Sequence, residues 1–336
     1  MTILPEPPTT RPGTVLRFRD RHGVPVEATV TDRREDPLQP APPLRSCLLT
    51  LSYADGGRHE ARHVGPAAPG PGAGYDALDN EILAGLRLSR LCGAGPYPAK
   101  VSRLIGYEAD GELPFVLLAP YRGRPVGGTL GRILPSESLP FQRSLLTGLR
   151  WTSAAGIAHR ALSPETVHWD TVCAQITGFT EAAPAGTPRS VAGAPPWWAP
   201  EQRPGQAGGV VTGDDDVWAA GRLIFCVATG RAPERADLAD APPDLARLLQ
   251  GVFGPPEGRP SVRELLRRLD AADPVPRGLS PDVALERGRA DFFALRARKH
   301  PQTVPAAEPE PAWPAPAGPT TPDEPSRRGR PWRRRR

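Results

Sequence analysis

Short alternating runs give way, part-way along the chain, to long apolar stripes, and that order limits the folds open to it. Val15 to Phe18 and Val26 to Val30 alternate around a turn at His22-Gly23, a pattern that predicts a hairpin. Ser46 to Ser52 and Arg58 to Val64 flank Asp55-Gly56-Gly57, a strong turn signal for a second hairpin. Between the hairpins, Asp36 to Leu44 is proline-rich and cannot form a regular ladder. Gly65 to Gly74 reads as a Pro/Gly linker. Asp76 to Leu91 then places Leu78, Ile82, Leu83, Leu86 and Leu88 at helical spacing. Two more strands are predicted at Lys100 to Tyr107 and Pro114 to Leu118. Helical segments follow at Leu139 to Ala158, Asp215 to Ala228, Pro243 to Val252 and Ser261 to Ala271, with Asp282 to Arg298 as a further one. Strands first and helices afterwards predict an α+β protein.

A length of 336 residues suits one two-part domain and a tail, and 39% apolar residues are enough for a core. The 45 prolines and the excess of Arg over Lys look like a GC-rich bacterial genome, so isolated Pro and Gly carry little weight. Seven arginines lie among the last ten residues, and removing them takes the net charge from +5 to −2. The body is therefore not a generally basic nucleic-acid binder. Cys47, Cys92, Cys173 and Cys226 are scattered, which argues against a zinc site or disulfide framework. The N-terminus shows no signal-peptide pattern, and no apolar run approaches the ~20 residues a membrane span needs. These readings predict a cytoplasmic protein. From His300 onward Pro, Ala, Glu and Arg dominate, the composition of a disordered tail.

The large central region holds a series of short motifs. His159-Arg160-Ala161-Leu162-Ser163-Pro164-Glu165-Thr166 is followed twelve positions on by Gly178-Phe179-Thr180. Trp198-Ala199-Pro200-Glu201, Asp216-Val217-Trp218-Ala219-Ala220-Gly221 and Gly258-Arg259-Pro260-Ser261 come after them in that order. Together they resemble the catalytic loop, metal loop, Ala-Pro-Glu motif and following helix and turn of the protein kinase family. The resemblance covers roughly Val26 to Asp270. It implies a bilobal fold, with a small β-rich lobe at 14–122 and a larger helical lobe at 123–275. A helical extension at 276–299, a disordered N-terminus at 1–13 and a disordered tail at 300–336 complete the expected layout.

The same resemblance divides the motif residues into two sets. His159, Arg160, Phe179, Glu201, Asp216 and Arg259 match positions that hold the frame. Asp216 is expected to brace the loop backbone, and Glu201 to pair with Arg259. The polar set departs from the family: Ala161 stands for the Asp that accepts a proton, and Thr166 and Gly178 stand for the Asn and Asp that hold magnesium. Ser163 replaces a lysine. Glu81 resembles the helix Glu of the family's Lys–Glu pair, and the interval of ~19 residues back from it lands on Arg62, with His63 also allowed. The two lysines, Lys100 and Lys299, both lie after Glu81. Arg62 and Glu81 are thus the residual candidates for a cofactor contact. The phosphate loop should fall near Pro40 to Arg45, where prolines lack the N–H that would cradle phosphate. Gly70 to Gly74 reads as linker. Asp170 and Asp214 to Asp216 are the nearest acidic residues; Asp170 reads as a turn residue, and Asp214 and Asp215 as a helix start.

What the resemblance implies is a pseudokinase: a catalytically inactive kinase-like signalling protein acting as a scaffold or allosteric partner, with no cofactor. ATP without magnesium stays open. Its partner would be another kinase or a substrate protein. Two alternatives stand beside this reading. One is an active, atypical protein kinase or nucleotidyltransferase on the same fold. The other assigns function to Arg327 to Arg336, with Trp332 among them, binding nucleic acid or an anionic surface. Thr180, Thr187 and Ser190 are candidate phosphate acceptors, with Arg160 as partner.

Overall fold

The computed structural model describes residues 10–68, 72–93, 95–111, 113–235, 238–276 and 279, all within one compact unit, Met1–Arg287. The expected helix at Asp282 to Arg298, most of the extension at 276–299, the tail at 300–336 and its arginine run lie outside the described residues.

Six antiparallel strands close into a barrel in the order β1-β2-β3-β4-β6-β5: β1 (Val15–Asp20), β2 (Pro25–Glu35), β3 (Leu44–Ser52), β4 (Arg58–Pro66), β5 (Leu104–Glu108) and β6 (Phe115–Leu118). Both predicted hairpins are present, β1–β2 and β3–β4. Their turns are set locally: Asp20 Oδ1 accepts the His22 and Val24 amides, and Asp55 Oδ1 accepts the Gly57 amide. Alternation sends Leu16, Phe18, Val30, Leu49, Leu51 and Leu117 into the barrel. The outer face of β4 and β6 packs Val64 and Val116 against Leu78 and Ile82 of α1 (Ala73–Cys92). Residues 10–13, expected to be loose, instead lie against the barrel: Thr10 is buried, and the Gly13 amide donates to the Val30 carbonyl at 2.8 Å.

The helical region is built on α2 (Pro135–Ala154) and α3 (Val217–Thr229), with α4 (Pro243–Leu249) and α5 (Val262–Arg268) against them. Helix α3 is buried along most of its length, and Phe225 shares one core with Phe141, Leu145 and Leu149 of α2. Helix α2 stops at Ala154, short of the predicted Ala158. Gly156 takes a left-handed φ of 65°, and Ile157 and Ala158 pair with Ala183 and Pro184 as two short strands. A hairpin, Val167–Trp169 with Ala174–Ile176, follows the loop at His159, and Asp170 makes its turn by accepting the Val172 and Cys173 amides. The molecule is thus a mixed α and β protein with a β-rich N-terminal region and helices after it. Among the described residues no helix is long and apolar enough to cross a membrane.

Candidate functional site

A cavity of about 730 Å³ opens where the barrel meets the helical region, bordered by the proline-rich loop after β2, Arg62, Tyr121, Ala161, Thr166 and Trp198. The loop from His159 to Thr166 forms one wall. Asp216, at the start of α3, accepts the His159 amide at 2.6 Å and the Arg160 amide at 2.7 Å. That brace holds Arg160 at a φ of 68°, a left-handed conformation that a non-glycine residue adopts only when its surroundings enforce it. Burial pushes the Asp216 carboxyl up to about 7, against the two amides that favour its charged form. His159 is fully buried. Its Nε2 donates to the Thr177 carbonyl at 2.8 Å, and its Nδ1 faces the Ala161 amide at 3.3 Å, which assigns the tautomer. Burial lowers its pKa to about 4, so the ring is neutral and structural. Phe179 packs against it, ring centroids 4.7 Å apart.

The remaining frame residues meet farther along. Arg259 Nη1 lies 2.6 Å from Glu201 Oε1 and Nη2 lies 3.2 Å from Oε2, a two-pronged pair whose side chains are both nearly out of water. Arg160 reaches Ser190 with one nitrogen, at 2.6 Å to its carbonyl and 2.8 Å to its hydroxyl. Thr187 donates its hydroxyl to the Pro184 carbonyl, and the Thr180 carbonyl accepts from Asn80.

Glu165 and Glu181 border the cavity, whereas Asp214 and Asp215, the acidic residues nearest the motifs in sequence, are engaged away from it. Asp214 Oδ1 accepts the Val262 amide. Asp215 takes both prongs of Arg189 at 2.9 Å and the Thr212 hydroxyl. Among the described residues no group of three or more His, Cys, Asp or Glu could hold a metal ion. At the loop itself, the Thr166 hydroxyl donates to the Ala161 carbonyl at 3.1 Å and receives the Ser163 amide at 3.0 Å. The Ser163 hydroxyl accepts the Glu165 amide. Ala161 contributes a methyl group. Gly178 has a φ of 70°, so an Asp there would carry backbone strain in addition to its charge.

Arg62 and His63 sit on opposite faces of β4, which resolves the choice between them. His63 faces inward and stacks on Phe115 at 4.8 Å; burial lowers its pKa to about 4. Arg62 faces the cavity. Its expected pair with Glu81 does not form: among the described residues its ion-pair partner is Asp36, with Nε 3.0 Å from Oδ2. Its Nη2 donates to the Leu38 carbonyl and, at 3.3 Å, to the Ser46 hydroxyl. Glu81 stays close enough to feel the arginine, but burial dominates and raises its carboxyl to about 7. The Phe179 amide facing it offsets part of that rise.

Two residues here, Asp36 and Tyr121, carried no local sequence signal. Asp36 is 2% exposed and also accepts the Ser46 hydroxyl at 2.7 Å and the Leu38 amide at 2.9 Å. The Tyr121 ring lies over the Arg62 guanidinium, 4.2 Å from its centroid, and meets His168 edge-on at 5.1 Å. The Gly178 amide faces the Tyr121 hydroxyl, while burial raises that phenol well above its ordinary range. These contacts bear on whether the residues present suit magnesium and ATP. They do not: the metal positions offer a hydroxyl already donated and a glycine, and the loop's free amides are replaced by prolines.

No protein-family model matches the chain. Similar curated proteins are serine/threonine-protein kinases. SBK2 of Homo sapiens is 34% identical over 181 residues, taking in 47% of this chain and 51% of that protein. SBK2 of Rattus norvegicus is 32% identical over 197 residues, 54% and 51% of the two chains. GIN4 of Saccharomyces cerevisiae is 28% identical over 166 residues, 46% of this chain and 14% of its own. The chain thus spans about half the length of the SBK2 proteins. These similarities, with the Asp216 brace on the cavity loop and the Glu201–Arg259 pair farther along, support a likeness to the protein kinase-like superfamily.

Proposed function

We propose that this protein is a bilobal pseudokinase: a kinase-like frame that transfers no phosphate and acts as a scaffold or allosteric partner for another protein. The observation that carries the reading is the inward commitment of the polar groups at the motif positions. Thr166 and Ser163 bond their own loop, Ala161 and Gly178 offer no side-chain oxygen, and Arg62 is held by Asp36. Loss of one oriented electrostatic partner costs ~100- to 1000-fold in rate. Losing the proton acceptor and both metal ligands leaves no useful phosphoryl transfer, even where such losses are not additive.

The retained residues support a binding role because they stabilise backbone and touch no reacting group. Asp216 fixes the loop that borders the cavity, Glu201 and Arg259 fix the backbone farther along, and a preorganised surface binds a partner at lower entropic cost. The test is a radiometric assay of the purified full chain with magnesium, ATP and generic protein substrates. No incorporation is expected. Robust transfer that persists after trace contaminating kinases are removed overturns the proposal. A pull-down from the native host identifies the partner.

A further inference from the structure

The residues around Arg62 do more than omit a ligand. A buried guanidinium needs an anion and hydrogen-bond acceptors, because leaving it unpaired costs several kcal/mol or more. Here the charge and the Nη2 hydrogen bonds are met from within the chain, while Nε lies 3.0 Å from Asp36 as an ion pair without a hydrogen bond. Asp36 supplies the negative charge, the Leu38 carbonyl and Ser46 hydroxyl accept its N–H groups, and the Tyr121 ring covers its flat face. The loop that carries Asp36 is itself fastened. The Gln39 amide nitrogen donates to the Asp36 carbonyl at 2.8 Å and to the Ser46 carbonyl at 3.0 Å, and its oxygen accepts the Ser46 amide. Tyr121 continues the connection downward, edge-on to His168 and facing the Gly178 amide. Five stretches of chain distant in sequence are joined through these side chains.

We infer that Asp36 and Tyr121 form an internal strap that occupies Arg62 as an anionic, ring-bearing ligand such as a nucleoside triphosphate would, so the guanidinium in the cleft wall is engaged without a nucleotide. The carboxylate stands where such a ligand's phosphate would meet the guanidinium, and the phenol ring stands where its base would stack on it. This rests on the reading of the chain as a kinase-like protein that transfers no phosphate. It adds that the cleft's own side chains, and not only missing metal ligands, exclude the nucleotide.

A strap that opens in only a small fraction of molecules lowers apparent ligand affinity by that fraction. With an open state populated at ~0.1–10%, removing the strap raises affinity ~10- to 1000-fold. The experiment uses the full chain without metal, and measures binding of ATP and of inorganic tripolyphosphate by calorimetry and thermal shift. The unaltered protein should show no saturable binding of either at millimolar concentration. Asp36→Ala should gain both, because it frees the guanidinium. Tyr121→Ala should gain ATP alone, because it vacates space for a ring. Asp36→Asn, which keeps the shape and the Leu38 contact while removing the charge, serves if the alanine variant fails to fold.

A folded Asp36 variant that binds neither probe overturns the strap, as does unaltered protein that binds ATP as tightly as the variants. Hydrogen exchange on the unaltered protein gives a check that needs no variant. Slow exchange of the Leu38 and Ser46 amides, unchanged by ATP, supports the strap; fast exchange that ATP slows overturns it. ATP binding without phosphate transfer removes the strap alone, whereas phosphate transfer removes the functional reading beneath it.

Discussion

The Glu201–Arg259 pair offers a quantitative test of the frame. Both side chains are nearly out of water, at 10% and 3% exposure, and their two contacts are 2.6 and 3.2 Å long. Arg259 also donates to the Gly254 carbonyl at 3.2 Å and lies over the Trp218 ring at 5.4 Å. Removing one member of such a pair strands the other as a buried charge, at ~3–5 kcal/mol. For a chain of this size each kcal/mol moves Tm by ~2–4 °C, so Glu201→Ala or Arg259→Ala should lower Tm by roughly 6–20 °C. Replacing both with apolar residues, as in Glu201→Leu with Arg259→Met, removes the stranded charge. The double variant should then lose less than the two single losses added together, with a coupling of ~0.5–3 kcal/mol. Urea unfolding of the four proteins gives the cycle. Single-variant losses below ~1 kcal/mol and strict additivity would be the behaviour of an exposed pair, and would refute the structural role assigned here.

Glu81 supplies a pH-dependent test. Its carboxyl rises from 4.5 to about 7 on folding, so the folded state holds more protons than the unfolded state between those values. Stability from this group is therefore full below about pH 4.5 and falls as pH rises to about 7. Glu81→Gln should match the unaltered protein near pH 4 and exceed it at pH 8 by on the order of 2–3 kcal/mol. The buried histidines cancel in the difference, and a flat difference curve would remove the burial argument. Restoring Ala161→Asp, Thr166→Asn and Gly178→Asp together should leave phosphate transfer undetectable, because Arg62 remains strapped to Asp36. Recovery of transfer in the triple variant would contradict that statement. Gly178→Asp alone should cost ~1–3 kcal/mol for its left-handed backbone, and an unchanged melting temperature would contradict this.

Local chemistry was legible in the sequence. The hairpin turns are written in Asp20 and in Asp55-Gly56-Gly57, whose side chains and φ values act within four residues. The bracing Asp216 and the Glu201–Arg259 pair were legible only by analogy, since their partners lie 57 and 58 residues away. Asp36 and Tyr121 were not legible by either route. Asp36 looks like the first residue of a proline-rich loop, and only the barrel register brings it to Arg62. Tyr121 stands in a connection after β6, outside any alternating or helical pattern that would give its ring a direction. Barrel closure was hidden for the same reason, because β1 meets β5 at Arg19↔Tyr107, a pairing no turn announces.

The two sets of motif residues differ in what their loss does to the fold. A carboxylate that only meets substrate or metal contributes little to packing, so Ala161 and Gly178 leave the chain folded. Asp216 and Arg259 are different, because removing either strands a buried partner: two backbone amides in one case and Glu201 in the other. Arg62 falls between these cases. Its charge is buried in a strand that cannot move without opening the barrel, so once a phosphate is no longer present the guanidinium still demands an anion. Asp36, at the entrance of a loop that passes over the strand, meets that demand. On this argument the side chains at Ala161 and Gly178 and the Asp36–Arg62 pair fit together, since an arginine paired with Asp36 does not meet a phosphate.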